Sequence, residues 1–305
     1  MAVSLPARNG RTVEQGLHRI RKVIRARLAG SRLVGLDREM QVGFFTGKFL
    51  RSRLALGLLG PAAGPLPDDV VHTCAAVELI HNASLIHDDI IDSGGMRRGR
   101  PTGWREIGSS SAVIMGDYLF CLAIEQAAEV KNKRMGEVFA MKLREMCEGE
   151  FEQTCVCRGR KISAARCLDI NRRKTGALFA IVGSVCAGKA KDRVKPLEEA
   201  GYALGTAYQI IDDLIDKFGD ERTCGKTLGT DARMAKPTII MHYAGREQAL
   251  IALADELLAR PRQLLGHWPV MRSGYDAYVD ESIRPMLTEI AARIERTGWP
   301  AGGTR

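Results

Sequence analysis

The chain has 305 residues, 45% of them hydrophobic and 27% charged, a balance that excludes a disordered or fibrous protein and suffices for a large buried core. It contains no uninterrupted apolar run near the roughly 20 residues of a membrane span and opens with no apolar signal core, so a cytoplasmic protein without a membrane anchor is expected. The net charge of +9 admits nucleic acid, a membrane surface or small anions as partners. Few aromatic residues sit among the basic ones and no long Lys/Arg block occurs, which argues against nucleic acid.

In chain order, residues 1–10 and 297–305 are expected to fray, and between them the pattern is helical almost throughout. Leu17, Ile20, Ile24 and Leu28 recur at steps of three and four, as do Val77, Ile80, Ser84 and Asp88. Breaks fall at 61–67, 93–103, 158–163, 219–237 and 261–269, where Gly, Pro and polar residues gather. The long helices left between them include one over about 68–92 and one over about 196–217. No strand alternation and no clean repeat is present. Helices of this length without a heptad seam predict an all-α fold, a large helical bundle around one core, in a single domain spanning 1–305. The eight cysteines (Cys74, Cys121, Cys147, Cys155, Cys157, Cys167, Cys186 and Cys224) form no CxxC pair. In a reducing cytosol they are expected to be buried small hydrophobes.

Two segments carry the chemistry. The first runs from Glu78 to Asp92 and ends in Asp88, Asp89 and Asp92, followed by Met96-Arg97-Arg98-Gly99-Arg100-Pro101-Thr102. Asp88 and Asp92 are four apart and share a helix face. They fall at the C-terminal end of their helix, where the dipole disfavours negative charge, so a bound cation is expected between them. The second segment, Tyr208-Gln-Ile-Ile-Asp-Asp-Leu-Ile-Asp216, repeats the spacing in Asp212, Asp213 and Asp216. Facing each other across a bundle, the two clusters would supply oxygen-only ligands suited to Mg²⁺ rather than zinc, with a diphosphate bridged between them.

These clusters, the Met96–Thr102 run, Lys174-Thr175-Gly176-Ala-Leu-Phe and Gly225-Lys-Thr-Leu-Gly-Thr-Asp231 together resemble the trans-isoprenyl (polyprenyl) diphosphate synthase family, in order from Gly47 to about Thr238. The resemblance implies a bundle of the isoprenoid synthase type with a central active-site cavity. It also implies a homodimer, and three Mg²⁺ ions per active site are expected with substrate bound. Gly47-Lys48-Phe49-Leu50-Arg51 is similar to the family's GKxxRP element. Lys48 and Arg51, with His81 and Arg98, are therefore expected to hold the diphosphate of isopentenyl diphosphate. Arg97, Lys174 and Lys226 are expected to hold the allylic diphosphate, Thr175 and Gln209 to line the same pocket, and Lys236 to add charge. Asp88, Asp92, Asp212 and Asp216 are the expected metal ligands, and Asp89, Asp213 and Lys174 join them as catalytic residues. His81, on the same helix, also fits a satisfied core histidine.

The implied reaction is ionisation, condensation and elimination, with no Ser, Cys or His nucleophile. In the family the growing tail runs beside the helix that ends in the first aspartates. Its expected chain-length residues here are Ala83 and Ser84, then Ile80 and Val77 one turn deeper, with Phe120 and Ile124 from a following helix. The small residues at 83 and 84 predict a product of geranylgeranyl length or longer. Ser52 stands where the family usually has Pro, and Ala235 where Gly is common. The segment from Ala244 onward carries no readable motif. The rival readings are a class I terpene cyclase, a head-to-head coupling enzyme, and a non-catalytic subunit of a heteromeric synthase.

Overall fold

The computed structural model describes residues 13–30, 47–60 and 65–296. The expected frayed ends, 1–10 and 297–305, lie outside them, as does part of the 61–67 break. The first helix, α1 (Val13–Ala29), buries Leu17, Ile20, Ile24 and Leu28, the stripe that its spacing predicts. It is followed by α2 (Leu50–Leu59) and by α3 (Asp68–Ile91), which matches its expected span. Helix α3 opens with Asp68 and Asp69 in its first turn, where carboxylates favour the dipole. Val70, Val71, Cys74, Ala75, Ala76, Val77, Leu79, Ile80 and Ala83 bury nearly its whole girth, because α3 runs through the middle of the bundle.

After α3 the chain forms a small antiparallel hairpin, β1 (Met96–Arg97) and β2 (Arg100–Pro101), with Arg97 opposite Arg100. The sequence showed no strand alternation there because two-residue strands are too short to alternate. Then come α4 (Gly103–Ile107), α5 (Ser109–Ala128), α6 (Arg134–Phe151), α7 (Ala164–Asn171), α8 (Ala177–Cys186) and α9 (Lys191–Phe218). Helix α9 starts five residues before the expected Pro196. That proline sits just past the first turn, so its missing N–H costs only one ladder bond. The 219–237 break holds two short helices, α10 (Glu221–Cys224) and α11 (Thr230–Arg233).

The segment without a motif forms α12 (Glu247–Leu264), α13 (Pro269–Ser282) and α14 (Arg284–Arg296). Pro261 lies inside α12 rather than ending it. Helix α12 packs on α9, and α13 closes over α2, where a Cβ on Gly274 would meet the carbonyl oxygen of Gly57 at 1.8 Å. Tyr275, wholly buried, donates from its hydroxyl to the Leu258 carbonyl at 3.0 Å and ties α13 to α12.

One hydrophobic cluster runs from Leu17 to Ile294. Each large side chain it hides contributes roughly 1.5–3 kcal/mol. Helix α3 packs on α1, α5 and α8, and α9 packs on α8, α12 and α14. At the α8/α9 crossing the contact is backbone on backbone. A Cβ on Gly201 would lie 2.5 Å from the Phe179 carbonyl oxygen, one on Gly205 2.5 Å from the Gly176 Cα, and one on Gly183 2.1 Å from the Leu197 carbonyl oxygen. All eight cysteines are free, but only Cys74, Cys157, Cys167 and Cys186 are buried. Cys121, Cys147 and Cys155 are exposed, against expectation: Cys121 lies on an open face of α5, while Cys147 and Cys155 border the cavity described below.

Candidate active site

Helices α3 and α9 finish at the same end of the bundle, and their last turns line one cavity of about 820 Å³. Asp88 and Asp92 enter it from α3, Asp212 and Asp216 from α9, and Asp231 from α11. Carboxylates at two helix C-termini oppose both dipoles, so the arrangement requires nearby cations. Lysines meet part of that need. Lys226 Nζ lies 2.7 Å from Asp212 Oδ1, Lys236 Nζ 2.7 Å from Asp92 Oδ1, and Lys174 Nζ 2.8 Å from Glu150 Oε2.

These pairs set the titration of the site. Burial and the facing Glu150 carboxylate push Asp88 up to about 7. Burial alone would also raise Asp212, but Lys226 overrides it and holds that carboxyl below the ordinary range. Burial likewise opposes the charge on Lys174, and Glu150 and Asp88 hold its ammonium above the usual lysine value.

Lys174 and Thr175 sit in a π-helical turn (Arg172–Gly176) that widens the chain just before α8. A second π turn (Glu152–Val156) continues α6 and carries Gln153. Such turns re-aim side chains where a regular helix would point them elsewhere. The first turn packs against α6 at Gly149, where a Cβ would stand 2.8 Å from the Lys174 nitrogen. Lys174 Nζ donates to Gln153 Oε1 at 2.9 Å, Thr175 Oγ1 donates to Gln209 Oε1 at 2.6 Å, and Gln209 Nε2 donates to Asp213 Oδ1 at 2.8 Å.

Across the mouth, the hairpin after α3 is stitched to the loop after α9. Gly99 N donates to Gly225 O at 2.7 Å, Thr227 N to Met96 O at 3.1 Å, and Gly95 N and Met96 N to Thr227 Oγ1 at 3.1 and 3.0 Å. Arg97 reaches back and grips Asp89, its Nε lying 2.8 and 2.9 Å from the two carboxylate oxygens. Both oxygens of Asp89 are thus committed to Arg97.

Four further basic residues belong to the same cavity. Lys48, Arg51, His81 and Arg98 all line the cavity. Arg51 is 7% exposed, its guanidinium lies 4.9 Å over the Phe179 ring, and its Nε is buried without a hydrogen-bond partner. Burial lowers His81 well below the ordinary histidine value, and Arg51 and Arg98 reinforce the shift, so it stands neutral.

Several expected residues fall elsewhere. Asp213, expected to be catalytic, does not line the cavity. It is 3% exposed, bonded to Gln209, and pushed well up by burial and Asp231. Lys236 does not line the cavity either, but stands behind Asp92 and Glu150 as their counter-ion. Of the chain-length residues, Ser84 and Phe120 line the cavity, together with Leu85, Met146, Cys147 and Leu178. Val77, Ile80 and Ala83 have no accessible surface, because α3 is packed on all sides at that depth. Ile124 is 54% exposed on the outer face of α5.

Sequence reasoning missed Glu150, Gln153 and Asp231. Glu150 belongs to a run of scattered glutamates with no metal-like spacing, and only the course of α6 into its π turn brings it between Lys174 and Lys236. Asp231 closes the Gly225–Asp231 run, whose loop character gave no sign that it pointed inward.

Among the described residues no three carboxylate, His or Cys groups converge tightly enough to hold an ion unaided. The donor set still fits Mg²⁺. All its ligands are oxygens, Asp213 Oδ2 is an orphaned buried atom behind them, and Mg²⁺ takes only one or two carboxylates before substrate phosphates and water complete its shell. Asp88, Asp92, Asp212 and Asp216 are the residues that would hold it.

A helical bundle with two aspartate-ended helices and many basic residues around one cavity is the architecture of the isoprenoid synthase class. The sequence matches the Polyprenyl synthetase family over residues 37–263. The chain therefore belongs to the polyprenyl synthetase family, the trans-isoprenyl diphosphate synthases. It is 36% identical over 240 residues to a short chain isoprenyl diphosphate synthase of Methanocaldococcus jannaschii, covering 75% of this chain and 68% of that one. It is 32% identical over 213 residues to an octaprenyl diphosphate synthase of Haemophilus influenzae, covering 68% of this chain but 64% of that one, slightly under two thirds. The crystal structure of a polyprenyl synthase from Caulobacter crescentus, complexed with calcium and isoprenyl diphosphate, superimposes with a TM-score of 0.70 at 27% identity, over 90% of this chain and 98% of the other.

Proposed function

We propose that the protein is a Mg²⁺-dependent, chain-elongating trans-prenyltransferase that condenses isopentenyl diphosphate with an allylic diphosphate and releases diphosphate. The observation that carries this reading is that one cavity holds enough basic residues for two diphosphates. Arg97, Lys174 and Lys226 pair with Asp89, Glu150 and Asp212, and Lys48, Arg51, His81 and Arg98 line the same cavity, where Arg51 and Arg98 offset the buried Glu78. A terpene cyclase handles one diphosphate and has no use for so many. A non-catalytic subunit has no need of two complete aspartate clusters.

In the reaction the allylic C–O bond breaks, the allylic carbon joins the double bond of isopentenyl diphosphate, and the proton lost passes to the released diphosphate. Bound Mg²⁺ supplies Lewis-acid stabilisation of the leaving diphosphate. Lys174, Lys226 and Arg97 neutralise the same developing charge from fixed positions. His81 lines the cavity with Arg51 and Arg98 and offers a ring nitrogen to the second diphosphate. Leu85, Phe120, Met146 and Leu178 keep water from the allylic cation.

A product of geranylgeranyl length or longer is supported by the small Ser84, which lines the cavity one turn before Asp88. A homodimer is supported by an outward apolar face on α5 and α6, where Val113, Ile114, Ile124 and Met141 are exposed. A cytoplasmic setting is supported by the eight free cysteines. Helix α5 is long and apolar enough to cross a membrane by composition, and its exposed side is this same face. One continuous core supports a single domain.

The test is incubation of the purified protein with Mg²⁺, labelled isopentenyl diphosphate and each of dimethylallyl, geranyl and farnesyl diphosphate, with chain lengths read after dephosphorylation. A ladder reaching twenty carbons or beyond is expected. No incorporation with any primer would sink the elongation reading.

A further inference from the structure

Helix α2 has an unusual cap. Its N-cap residue, Phe49, is in the left-handed region at φ 53° and offers no side-chain acceptor, so the first-turn N–H groups need another partner. Glu78, three turns before Asp88 on α3, supplies one. Its Oε1 accepts from the Ser52 backbone N–H at 3.1 Å and from Ser52 Oγ at 2.8 Å. Ser52 is wholly buried and Glu78 is 4% exposed. Such a carboxylate is tolerated only when charge and hydrogen bonds compensate it. The compensating cations are Arg51 and Arg98, both of which line the cavity. Arg51 directly precedes Ser52, so the contact that caps the helix also fixes the backbone from which Arg51 projects. Proline, usual in the family at this position, has neither N–H nor hydroxyl. The serine of this chain therefore adds two donors to Glu78.

We infer that Glu78, fixed by Ser52, is a positioning residue that orients Arg51 for the diphosphate of isopentenyl diphosphate. This rests on the proposed function. Charge and position predict opposite signs, which makes the inference testable. The bare field of a carboxylate beside an anion site weakens anion binding, so removing the charge alone would tighten it. Loss of orientation weakens it instead.

The experiment compares wild type with Ser52→Ala, Ser52→Pro and Glu78→Gln. It reads KM for each substrate, kcat, the denaturation midpoint, and calorimetric binding of isopentenyl diphosphate. Ser52→Ala keeps every charge and removes one donor. Its KM for isopentenyl diphosphate is expected to rise about threefold, with the allylic KM and kcat unchanged. Ser52→Pro and Glu78→Gln are expected to raise the same KM about tenfold or more. Tighter binding in Glu78→Gln, or an equal change in both KM values, would overturn the inference. A purely structural role would lower the denaturation midpoint and the active fraction without splitting the two KM values. If Glu78→Gln fails to fold, Ser52→Ala decides. If wild type shows no turnover, the proposed function fails and calorimetry still decides the inference. Weaker binding in the variants upholds it, and unchanged binding or no binding to wild type overturns it.

Discussion

Gly205→Ala tests whether the α8/α9 crossing sets the distance between the two sides of the site. The added Cβ would stand 2.5 Å from the Gly176 Cα and 2.9 Å from its nitrogen, against an ordinary contact of about 3.5–4.0 Å. Both neighbours are backbone, so no side chain can swing away, and the helices must part by about 1 Å. Overpacking of this kind costs about 1–3 kcal/mol. The displacement falls one residue from Thr175 and two from Lys174, on the link that joins Thr175 to Gln209. A misplacement of about 1 Å costs on the order of 100-fold in rate. Guanidinium denaturation and steady-state kinetics are expected to show both losses. Gly136→Ala on α6 is the control, because nothing lies within 4 Å of its new Cβ. It is expected to stabilise by roughly 0.5–1 kcal/mol with kcat unchanged. A Gly205→Ala protein with wild-type midpoint and wild-type kcat would refute the reasoning.

Three further outcomes are expected. Lys174 and Lys236 hold Glu150 below its ordinary value against burial, so its contribution is present above about pH 4.3 and is lost as pH falls through the depressed folded value. Glu150→Gln should therefore unfold more easily than wild type at pH 7, with the gap closing in acid; a gap that is constant with pH counts against the pairing. Ala235 sits at φ 51°, the conformation that favours the glycine common in the family, so Ala235→Gly should stabilise by up to about 1 kcal/mol, read as a higher denaturation midpoint. Excess EDTA should abolish turnover and Mg²⁺ should restore it; full activity in EDTA would contradict the aspartate clusters as metal ligands.

The parts of the fold legible in the sequence were those written in periodicity. The stripe of α1 and the full length of α3 follow from spacing and from Pro and Gly at the ends. Pro196 and Pro261 misled at the boundaries because each lies near one end of its helix, where a missing N–H costs only one ladder bond. In the site, Asp88, Asp92, Asp212 and Asp216 were readable from repeated spacing, and Lys48, Arg51, Arg97 and Lys226 from their motifs. Asp213 was over-read, since a DDxxD pattern cannot say which of two adjacent carboxylates faces inward. The depth of the cavity was not readable either. It depends on how α5 and α6 close against α3, a long-range matter that leaves no mark on any one helix. Glu150 was hidden for the same reason, since its partners Lys174 and Lys236 reach it from a π turn and a loop further along the chain.

The lysine–carboxylate pairs make ligand entry an exchange of counter-ions. Lys226 already belongs to Asp212, Lys174 to Glu150, and Arg97 to Asp89. A diphosphate arriving alone would draw Lys226 away and strand Asp212, and a cation arriving alone would claim Asp212 and strand Lys226. Arriving together, they would trade partners. Each ligand would therefore raise the protein's affinity for the other by the same factor.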